Sequence, residues 1–506
     1  MTVAHEQLES DAVGAFWADG LPGNFVGGSY VPATRRAPVV NPSTGHEFTT
    51  VGSTTAAEVD AAIEVAADVQ PAWARLTPAQ RIDAVVALAD RLREWGDRLA
   101  LLESIDSGNP MFATRRDVGL GLRYLAQWPA QTLARAGRVG IPHADGMSFT
   151  TRVPYGVVGK IIAFNHPSLF ALAGMIFPLL AGNAMVIKAA DQTPLATLAL
   201  GRIVEGILPD GLVNLVSGGA ETGDALVVSP RVKRIAFTGS DTTALRIQSR
   251  LSAGGLIKHF STELGGKNAL LIFEDADLDG AIAAAVDGAS LTVSQGQSCQ
   301  ATARVLVHRS VHDRVVAGIA ARLRTLRVGP SYDEDSSMGP LVSHAQRERV
   351  RAFIAGAIAD GARLVTGGGV PAHTPEGGFY LEPTLFTEVD SGMRIAQEEI
   401  FGPVLVVQPF DTEEEALQRA NETRLGLSAA VWTRSLDRAM RVAMNLQAGY
   451  VWVNDANRHY PGSPFGGLKA SGTGREESLE EYDSFAELRS INVKVPGLLG
   501  ATPSEA

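Results

Sequence analysis

The chain has 506 residues, more than one compact core usually holds, so about two or three domains are expected. Charged residues make up 20% of it and apolar residues 45%, a balance that excludes a disordered chain. With 44 basic and 55 acidic residues the formal net charge is −11, and no run of Lys and Arg offers a binding patch to nucleic acid or an anionic membrane.

The first 130 residues are predicted to form an N-terminal lead-in segment that is followed by helices. The start, residues 1–10, lacks the basic residues and apolar stretch of a secretory signal. Apolar residues at helical spacing predict helices over 56–68 and 78–104. From Gly137 to Tyr155 the pattern changes and predicts a β-hairpin around the turn-forming residues 144–146.

After Gly156, short apolar runs alternate with helical segments, which predicts a parallel sheet covered on both faces. The uncharged stretch between Lys160 and Lys188 is long enough to span a bilayer, but Asn, Pro and Gly interrupt it, which favours the core of a soluble domain. Ligands bind such sheets at the carboxyl ends of their strands. Strands are predicted over 157–163, 184–188, 212–216 and 234–237, and helices over 168–180, 194–205 and from Thr222 and Thr242.

A second alternating set follows Glu263. A stretch rich in Gly and Pro, 329–383, is predicted to carry more loops, and the last strand is predicted over 490–495, before a tail of small residues. The other strands of this set are predicted over 269–273 and 304–308, and its helices over 278–288 and 311–326.

Cys299 is the only cysteine in the chain. One thiol excludes an intramolecular disulfide and a zinc site built from Cys alone, and it predicts a reducing compartment, the cytoplasm. A lone cysteine is usually a small buried apolar side chain. Cys299, however, lies in the polar loop 294–303 beside Gly296, where a thiol is accessible and backbone amides can stabilise an anion, so a nucleophilic role is the alternative.

Other polar residues stand where predicted strands end. Glu263 precedes two glycines and is either a site carboxylate or a solvated loop residue. Asn165 is either an oxyanion donor or a turn and helix cap. Lys188 either extends to solvent or binds ribose or phosphate, and Gly239 and Ser240 stand where a helix N-terminus binds anions.

Seven motifs occur in a fixed order. They are Phe-Asn-His-Pro at 164–167, the stretch 188–194, Phe-Thr-Gly-Ser at 237–240, Glu-Leu-Gly-Gly-Lys at 263–267, Gly-Gln-Ser-Cys at 296–299, Glu-Glu-Ile-Phe-Gly-Pro at 398–403 and Pro-Phe-Gly-Gly-Leu-Lys-Ala-Ser-Gly at 464–472. One such motif is weak evidence, but their ordered occurrence makes coincidence remote. Together they resemble the NAD(P)-dependent aldehyde dehydrogenase superfamily over residues 25–495.

The resemblance implies an α/β architecture in three parts. They are a Rossmann-like parallel-sheet domain for NAD, an α/β catalytic domain and a small β oligomerisation element that builds a homodimer or homotetramer. The implied bounds are 1–136 with 156–262 for the NAD-binding domain, 263–482 for the catalytic domain, 137–155 with 483–500 for the oligomerisation element, and 501–506 for the tail.

The resemblance also implies a mechanism without a metal. Cys299 attacks the aldehyde, and the Asn165 amide and the Cys299 N–H hold the oxyanion of the thiohemiacetal. Hydride transfer to the nicotinamide leaves a thioester, which water activated by Glu263 releases as the acid.

Further residues are implied as cofactor contacts. Lys188 lies on the adenosine ribose, Ser240 on the pyrophosphate and Glu399 on the nicotinamide ribose. Asp191 stands where the superfamily often has Glu, and an acid there repels a 2′-phosphate, which favours NAD over NADP. The other implied contacts are Phe237, Gly239, Leu264 and Phe401.

The chain departs from the superfamily around the aldehyde. His166 replaces a residue that is often aromatic, and Gln300, Thr262 and Thr292 also differ from the usual types. Ala173 leaves room where bulkier residues are common, which favours a larger, aromatic or branched aldehyde. By position, the residues implied to line the aldehyde tunnel are His166, Phe170, Gln300, His459 and Phe465, and for each histidine a structural hydrogen-bonding role is the alternative.

Two other functions compete with hydrolytic oxidation. A CoA-acylating relative transfers the acyl group to CoA, but thiolysis needs no base such as Glu263 to activate water. A catalytically silent binding protein on the same fold needs no combination of Cys299, Glu263 and Asn165, and all three are present.

Overall fold

The structure is a computed structural model, and it describes residues 2–135, 137–142, 146–495 and 498–499. Most strands fall into two large sheets, and helices cover both. In chain order the strands are β1 Asn24–Val26, β2 Ser29–Val31, β3 Arg36–Asn41, β4 His46–Gly52, β5 Gly146–Pro154, β6 Val157–Ile161, β7 Ala184–Lys188, β8 Val213–Val216, β9 Val232–Thr238, β10 His259–Glu263, β11 Ala269–Ile272, β12 Arg304–His308, β13 Arg363–Thr366, β14 Thr384–Thr387, β15 Val404–Phe410, β16 Leu425–Gly426, β17 Ser428–Trp432, β18 Tyr450–Val453, β19 Leu468–Lys469, β20 Gly472–Thr473 and β21 Ala486–Lys494.

Each helix expected from apolar spacing is present, although 78–104 and 194–205 are each divided into two helices, and the described residues form further helices that were not expected. Many helices begin at a capping residue. Thr55 and Thr77, for example, form capping boxes with Glu58 and Gln80, which satisfies backbone N–H groups in the first turn. The helices are α1 Thr2–Gly14, α2 Ala56–Ala74, α3 Pro78–Val86, α4 Leu88–Ser107, α5 Met111–Gln131, α6 Pro167–Leu180, α7 Pro194–Ala199, α8 Gly201–Val204, α9 Ala220–Val228, α10 Asp241–Arg250, α11 Leu278–Gly288, α12 Leu291–Ser294, α13 His312–Leu323, α14 His344–Ala359, α15 Arg394–Gln397, α16 Glu413–Asn421, α17 Leu436–Asn445 and α18 Leu479–Ser484, with 3₁₀ turns at Thr132–Ala134 and Arg309–Val311.

The first sheet has eight strands in the order β2-β1-β8-β7-β6-β9-β10-β20. The five strands from β8 to β10 are parallel, while β1, β2 and β20 add antiparallel edges. Every residue of β6, β7 and β8 is buried, as expected for parallel strands covered on both faces. The predicted Rossmann-like sheet is therefore confirmed.

The uncharged stretch between Lys160 and Lys188 forms the end of β6, helix α6 and β7. Helix α6 has 14 residues, and its proline at position 178 lies inside the helix. Among the helices in the described part of the chain, none is both long and apolar enough to cross a membrane.

The second sheet has seven strands in the order β13-β14-β15-β12-β11-β17-β18. All are parallel except β13, which pairs antiparallel with β14. Its two faces pack separate apolar clusters, one under α11 and α13 and the other under α16 and α17. The two parallel sheets confirm the predicted α/β fold class.

A separate two-stranded sheet pairs β5 with β21, from Gly146 opposite Lys494 to Pro154 opposite Ala486. The predicted hairpin is present only as a single bridge between Val139 and Phe149, and the long partner of β5 is the C-terminal strand. Residues 144–145 of the predicted turn, and the predicted tail 501–506, lie outside the described residues.

Elements in two parts of the chain were not predicted. The lead-in contains β1 to β4, whose short strands bury polar side chains such as Asn24 and Asn41 and therefore lack an apolar run. The stretch 329–383, expected to carry more loops, also contains β13 and the helix α14. In α14 the buried face is formed by few residues, Val350, Phe353, Ile354 and Ala357, and the glycines and prolines that flank the helix obscured this pattern.

The predicted domain boundaries cut through elements. Strand β10 spans the boundary at 262/263, and β20, from the segment expected to be catalytic, completes the edge of the first sheet. Helix α18 spans the boundary at 482/483. The division into domains stays a prediction.

Candidate active site

A cleft of about 670 Å³ opens at the carboxyl ends of the first sheet, a volume typical of sites for cofactors and other small molecules. It brings together all three candidate catalytic residues and all eight candidate cofactor contacts. They are Asn165, Lys188, Asp191, Phe237, Gly239, Ser240, Glu263, Leu264, Cys299, Glu399 and Phe401.

Parallel strands explain this convergence. Strand β7 ends at Lys188, β10 ends at Glu263, and β6 ends four residues before Asn165. Because carboxyl ends of parallel strands meet at one edge, residues far apart in the chain meet there. Cys299 and Glu399 reach the same cleft from segments that precede β12 and β15 of the second sheet.

The N-terminus of α10 faces the cleft through Ser240. The Ser240 hydroxyl caps the helix by accepting a hydrogen bond from the Thr243 N–H at 3.2 Å. At Gly239 a side chain is excluded, because a Cβ atom there would lie 2.5 Å from Cζ of Phe237. The glycine therefore permits close approach of backbone to a ligand at a helix end that attracts anions, which fits the pyrophosphate of a dinucleotide.

Lys188 and Asp191 form a charged pair at the other end of the cleft. The Lys188 side chain is buried, and its ammonium donates to the Asp191 carboxylate and to the Ala189 carbonyl oxygen at 3.0 Å. Asp191 keeps 53% of its side chain exposed. The pair presents a donor and an acceptor together, which fits the hydroxyls of a ribose.

Glu399 is partly buried in the cleft, near enough to Cys299 for its charge to act on the thiol. Its Oε1 accepts a hydrogen bond from the Gly266 N–H at 3.1 Å, and burial raises the pKa of its carboxyl to about 7. A Cβ atom on Gly265 would lie 2.0 Å from Oε2, so this glycine makes room for the carboxyl.

Phe401 adopts a left-handed backbone conformation with φ of 60°. Such a conformation costs on the order of 1–3 kcal/mol in a non-glycine residue and persists only when the surroundings hold it. Here Gln346 donates a hydrogen bond to the Phe401 carbonyl oxygen at 2.7 Å, and the ring meets Phe164 edge-on at 5.5 Å.

Glu263 is not the solvated loop residue considered as the alternative. It is the last residue of β10 and is 5% exposed. Within the described residues, neither of its carboxylate oxygens has a hydrogen-bond partner. Burial, and then the negative charge of Glu476, raise the pKa of Glu263 well above its usual value. A buried carboxyl without partners is costly for stability and is typical of a group kept for chemistry.

A second, smaller cavity adjoins Glu263. Its volume of about 10 Å³ is close to what one water molecule requires. Glu476, which lines it, forms an ion pair with the buried Lys160 at 3.3 Å. The other residues that line it are Arg234, Ala236, Phe237, Ser261, Arg475, Glu481 and Phe485.

Cys299 is partly exposed and lines the main cleft, which argues against a purely structural thiol. Burial raises the pKa of the thiol well above its usual value, and the charges of Glu399 and Glu263 raise it further. The thiol is therefore neutral near pH 7 in the free protein, and its attack on a carbonyl requires a proton acceptor.

Asn268 holds the Cys299 loop in place. Its amide nitrogen donates to the carbonyl oxygens of Cys299 at 2.7 Å and Ala301 at 3.0 Å, and its Oδ1 accepts from the Ser428 N–H at 3.0 Å. Sequence reasoning missed this role, although Asn268 directly follows the Glu-Leu-Gly-Gly-Lys motif.

Asn165 lies beside the start of α6 but does not cap it, because the N-cap position belongs to His166. The Asn165 carbonyl oxygen accepts a hydrogen bond from the Asn109 side chain at 2.7 Å, which fixes the loop. Within the described part of the chain its own side-chain amide has no hydrogen-bond partner and remains able to donate into the cleft.

None of the five predicted tunnel residues lines this cleft. His166 packs edge-on against Phe170 with ring centres 5.6 Å apart, and His459 packs against Phe465 at 4.9 Å. Gln300 donates a hydrogen bond to the Asn457 side chain. The tunnel stays a prediction. Within the described residues, no group of three His, Cys, Asp or Glu side chains is placed to hold a metal ion.

Comparison with known proteins agrees with this site. An aldehyde dehydrogenase of Talaromyces stipitatus, tropH, is 39% identical over 93% of this chain and 93% of its own length. A betaine aldehyde dehydrogenase of Mesorhizobium japonicum is 41% identical over 93% of this chain and 97% of its own. The NAD⁺ complex of an aldehyde dehydrogenase from Bacillus cereus superposes with a TM-score of 0.91 at 36% identity, covering 96% of this chain and 98% of that one.

The match extends over nearly the whole chain. The family model described as "Aldehyde dehydrogenase family" covers residues 30–491, which include every candidate catalytic residue and cofactor contact. The family's nicotinamide cofactor also fits the charged pair, the helix end and the glycine-lined carboxyl of the cleft. The chain therefore belongs to the aldehyde dehydrogenase family and is an oxidoreductase that acts on aldehydes with NAD(P).

Proposed function

We propose that this enzyme uses NAD to oxidise an aldehyde to its carboxylic acid through a thioacyl intermediate on Cys299, which water activated by Glu263 hydrolyses. The proposal rests on one observation above all. Cys299, Asn165 and the buried, unpartnered carboxyl of Glu263 line the same cleft as the candidate cofactor contacts.

In the first step Sγ of Cys299 bonds to the aldehyde carbon, and the π electrons of the C=O bond move to oxygen. The thiol proton passes to Glu263, whose raised pKa makes it an effective acceptor near neutral pH. The Asn165 amide and the Cys299 N–H stabilise the oxyanion. Bound nicotinamide supplies the hydride acceptor, with Glu399 and Phe401 on its side of the cleft and Lys188 and Ser240 toward the adenosine end.

In the second step Glu263, which has first released the thiol proton to solvent, removes a proton from water, and the water oxygen attacks the thioester carbon. The C–S bond breaks, so the acid is released and Cys299 leaves as a thiolate. Each proton that Glu263 accepts reaches solvent through the water-sized cavity that Glu476 and Glu481 line.

Asn165→Ala tests the oxyanion donor. We expect kcat to fall by about 10²-fold, because removing one such donor costs roughly that much in other acyl-transfer sites. Steady-state NADH formation measures the effect, and Asn445→Ala, on the exposed surface of α17, is the matched control. Equal, small losses in both variants would contradict the role of Asn165.

Asp191→Asn tests the preference for NAD. The half-exposed Asp191 carboxylate repels a 2′-phosphate, so its neutralisation is expected to raise the ratio of kcat/KM for NADP to that for NAD by about tenfold. Asp224→Asn, which removes a surface carboxylate paired with Arg250, is the control. An unchanged ratio in Asp191→Asn would remove the argument for NAD.

The product distinguishes hydrolysis from acylation of CoA. Incubation with aldehyde and NAD should yield the free acid, with no dependence of the rate on CoA, because Glu263 is placed to activate water. Acyl-CoA as product, or turnover only with CoA, would favour the CoA-acylating alternative. No NADH formation from any aldehyde would favour the silent binding protein.

We also propose a homodimer or homotetramer in the cytoplasm. The β5–β21 sheet exposes Leu488 at 63%, and Val139, which is bridged to β5, is 69% exposed, as expected of a surface that meets another subunit. The single, unpaired cysteine supports a reducing compartment. Sedimentation of the purified enzyme measures the assembly.

A further inference from the structure

Two histidines adjoin the candidate catalytic residues without lining the cofactor cleft. His166 directly follows Asn165 in the chain. His459 packs against Phe465, and at the next residue, Gly466, a Cβ atom would lie 2.7 Å from Oε1 of Glu263. His166 is therefore next to the oxyanion donor in the chain, and His459 is linked to Glu263 through Phe465 and Gly466.

The two histidines are held in the same way. Nδ1 of His166 lies 2.6 Å from Oδ2 of Asp117, and Nδ1 of His459 lies 2.7 Å from Oε2 of Glu477. A carboxylate only accepts, so each Nδ1 carries the hydrogen. Within the described residues each Nε2 has no hydrogen-bond partner, and the side chains are 14% and 23% exposed, so both remain accessible to a ligand.

Both rings favour the charged form. Burial opposes protonation, but attraction to Asp117 outweighs it and raises the pKa of His166, and Glu477 has the same effect on the pKa of His459. A protonated ring presents Nε2–H as a charged donor. Each histidine thus offers a hydrogen bond that is already oriented by its carboxylate.

A third cation lies beside them. Arg116, exposed on α5 one residue before Asp117, acts on both histidines, because its positive charge lowers the pKa of each. The neighbouring Glu103 is buried, and burial raises the pKa of its carboxyl, which reduces its negative charge near pH 7. Tyr124 donates to the other oxygen of Glu477 at 3.5 Å and adds no charge.

The charges therefore do not cancel. Each histidine is hydrogen-bonded to one carboxylate, Asp117 or Glu477, and within the described residues the exposed guanidinium of Arg116 has no carboxylate partner, so its positive charge is in excess. The rings of Phe170 and Phe465 stand beside these cations. We call His166, His459 and Arg116 the cationic cluster.

We propose that the cationic cluster binds a carboxylate on the far end of the aldehyde, so that the preferred substrate carries a negative charge beyond an apolar, ring-sized spacer. This inference rests on the proposed function and names the substrate class of the same site. It separates this chain from relatives named for betaine aldehyde, a cation that the cluster would repel.

Three aldehydes of one shape test the proposal on the full-length enzyme: 4-formylbenzoate, benzaldehyde and 4-formyl-N,N,N-trimethylanilinium. We expect kcat/KM for the anion to exceed that for the neutral aldehyde by about tenfold, with the cation lowest, and the advantage of the anion to shrink as salt is added.

Arg116→Gln tests the cluster without disturbing the core, because the side chain is exposed. We expect kcat/KM for 4-formylbenzoate to fall by about three- to tenfold, mainly through KM, and that for benzaldehyde to stay within about twofold. The control is Arg115→Gln. Arg115 is also exposed, but it pairs with Glu334 at 2.8 Å.

The possible outcomes distinguish a failure of the proposed substrate class from a failure of the proposed function. Oxidation of benzaldehyde with no preference for the anion, or equal effects of the Arg116 and Arg115 variants, overturns the substrate class and leaves the proposed function intact. Oxidation of none of the three aldehydes counts against both.

Discussion

Cys299→Ala is expected to abolish NADH formation from every aldehyde, with a loss in kcat of about 10⁴-fold or more, because no covalent intermediate can form without the nucleophile. The cofactor contacts lie on other elements, so the variant should still bind NAD. NADH absorbance in the steady state measures the first effect, and quenching of protein fluorescence by NAD measures the second.

The neighbouring hydroxyl provides the control. Ser298→Ala changes a buried side chain one residue away, and we expect its kcat to stay within a fewfold of the wild type. Because the chain has one cysteine, a thiol reagent that inactivates the wild type should modify one sulfhydryl per chain. Undiminished turnover by Cys299→Ala would refute the proposed nucleophile.

Glu263→Gln is expected to separate the two steps. If hydride transfer retains part of its rate while hydrolysis stalls, mixing with aldehyde and NAD gives a burst of about one NADH per subunit, followed by a steady rate lowered by about 10³-fold. The carboxyl must be ionised to act as the base. Wild-type kcat should therefore rise with pH through the raised pKa of Glu263, and the variant should lose that rise.

A second buried carboxyl controls for burial alone. Burial raises the pKa of Asp106 to about 8, but Asp106 accepts from the Leu195 N–H at 2.8 Å and does not line the cleft. Asp106→Asn should leave the burst and the steady rate in their wild-type proportion. A first turnover by Glu263→Gln that is as slow as later ones, without a burst, would show that the loss falls on the first step, where Glu263 accepts the thiol proton, and would contradict its role in hydrolysis.

The sequence predicts the first sheet well because its strands are buried on both faces. The runs that became β6, β7 and β9 contain few polar residues and end at Asn165, Lys188 and Gly239 or close before them. The rule that ligands bind at the ends of such strands, together with the ordered motifs, was sufficient to predict the residues that meet in the cleft.

Other features depend on contacts that no local pattern contains. The hydrogen bonds of Asn268 join loops more than 30 residues apart, and the partner of His166 is 49 residues away. Helix α14 was missed because its four buried residues lie between glycine-rich loops. The charge of the cationic cluster is likewise a property of three separate segments, visible only when they are folded together.

The register of β10 has a consequence for how the enzyme is assembled. Glu263 is the last paired residue of β10, in the first sheet. Cys299 precedes β12 of the second sheet, and Asn268 links it to that sheet by hydrogen bonds to the Cys299 carbonyl oxygen and from the Ser428 N–H. Neither sheet alone contains both the base and the nucleophile. Activity is therefore a measure of how firmly the two halves dock, and a variant that weakens only that docking would lose turnover while each half kept its secondary structure.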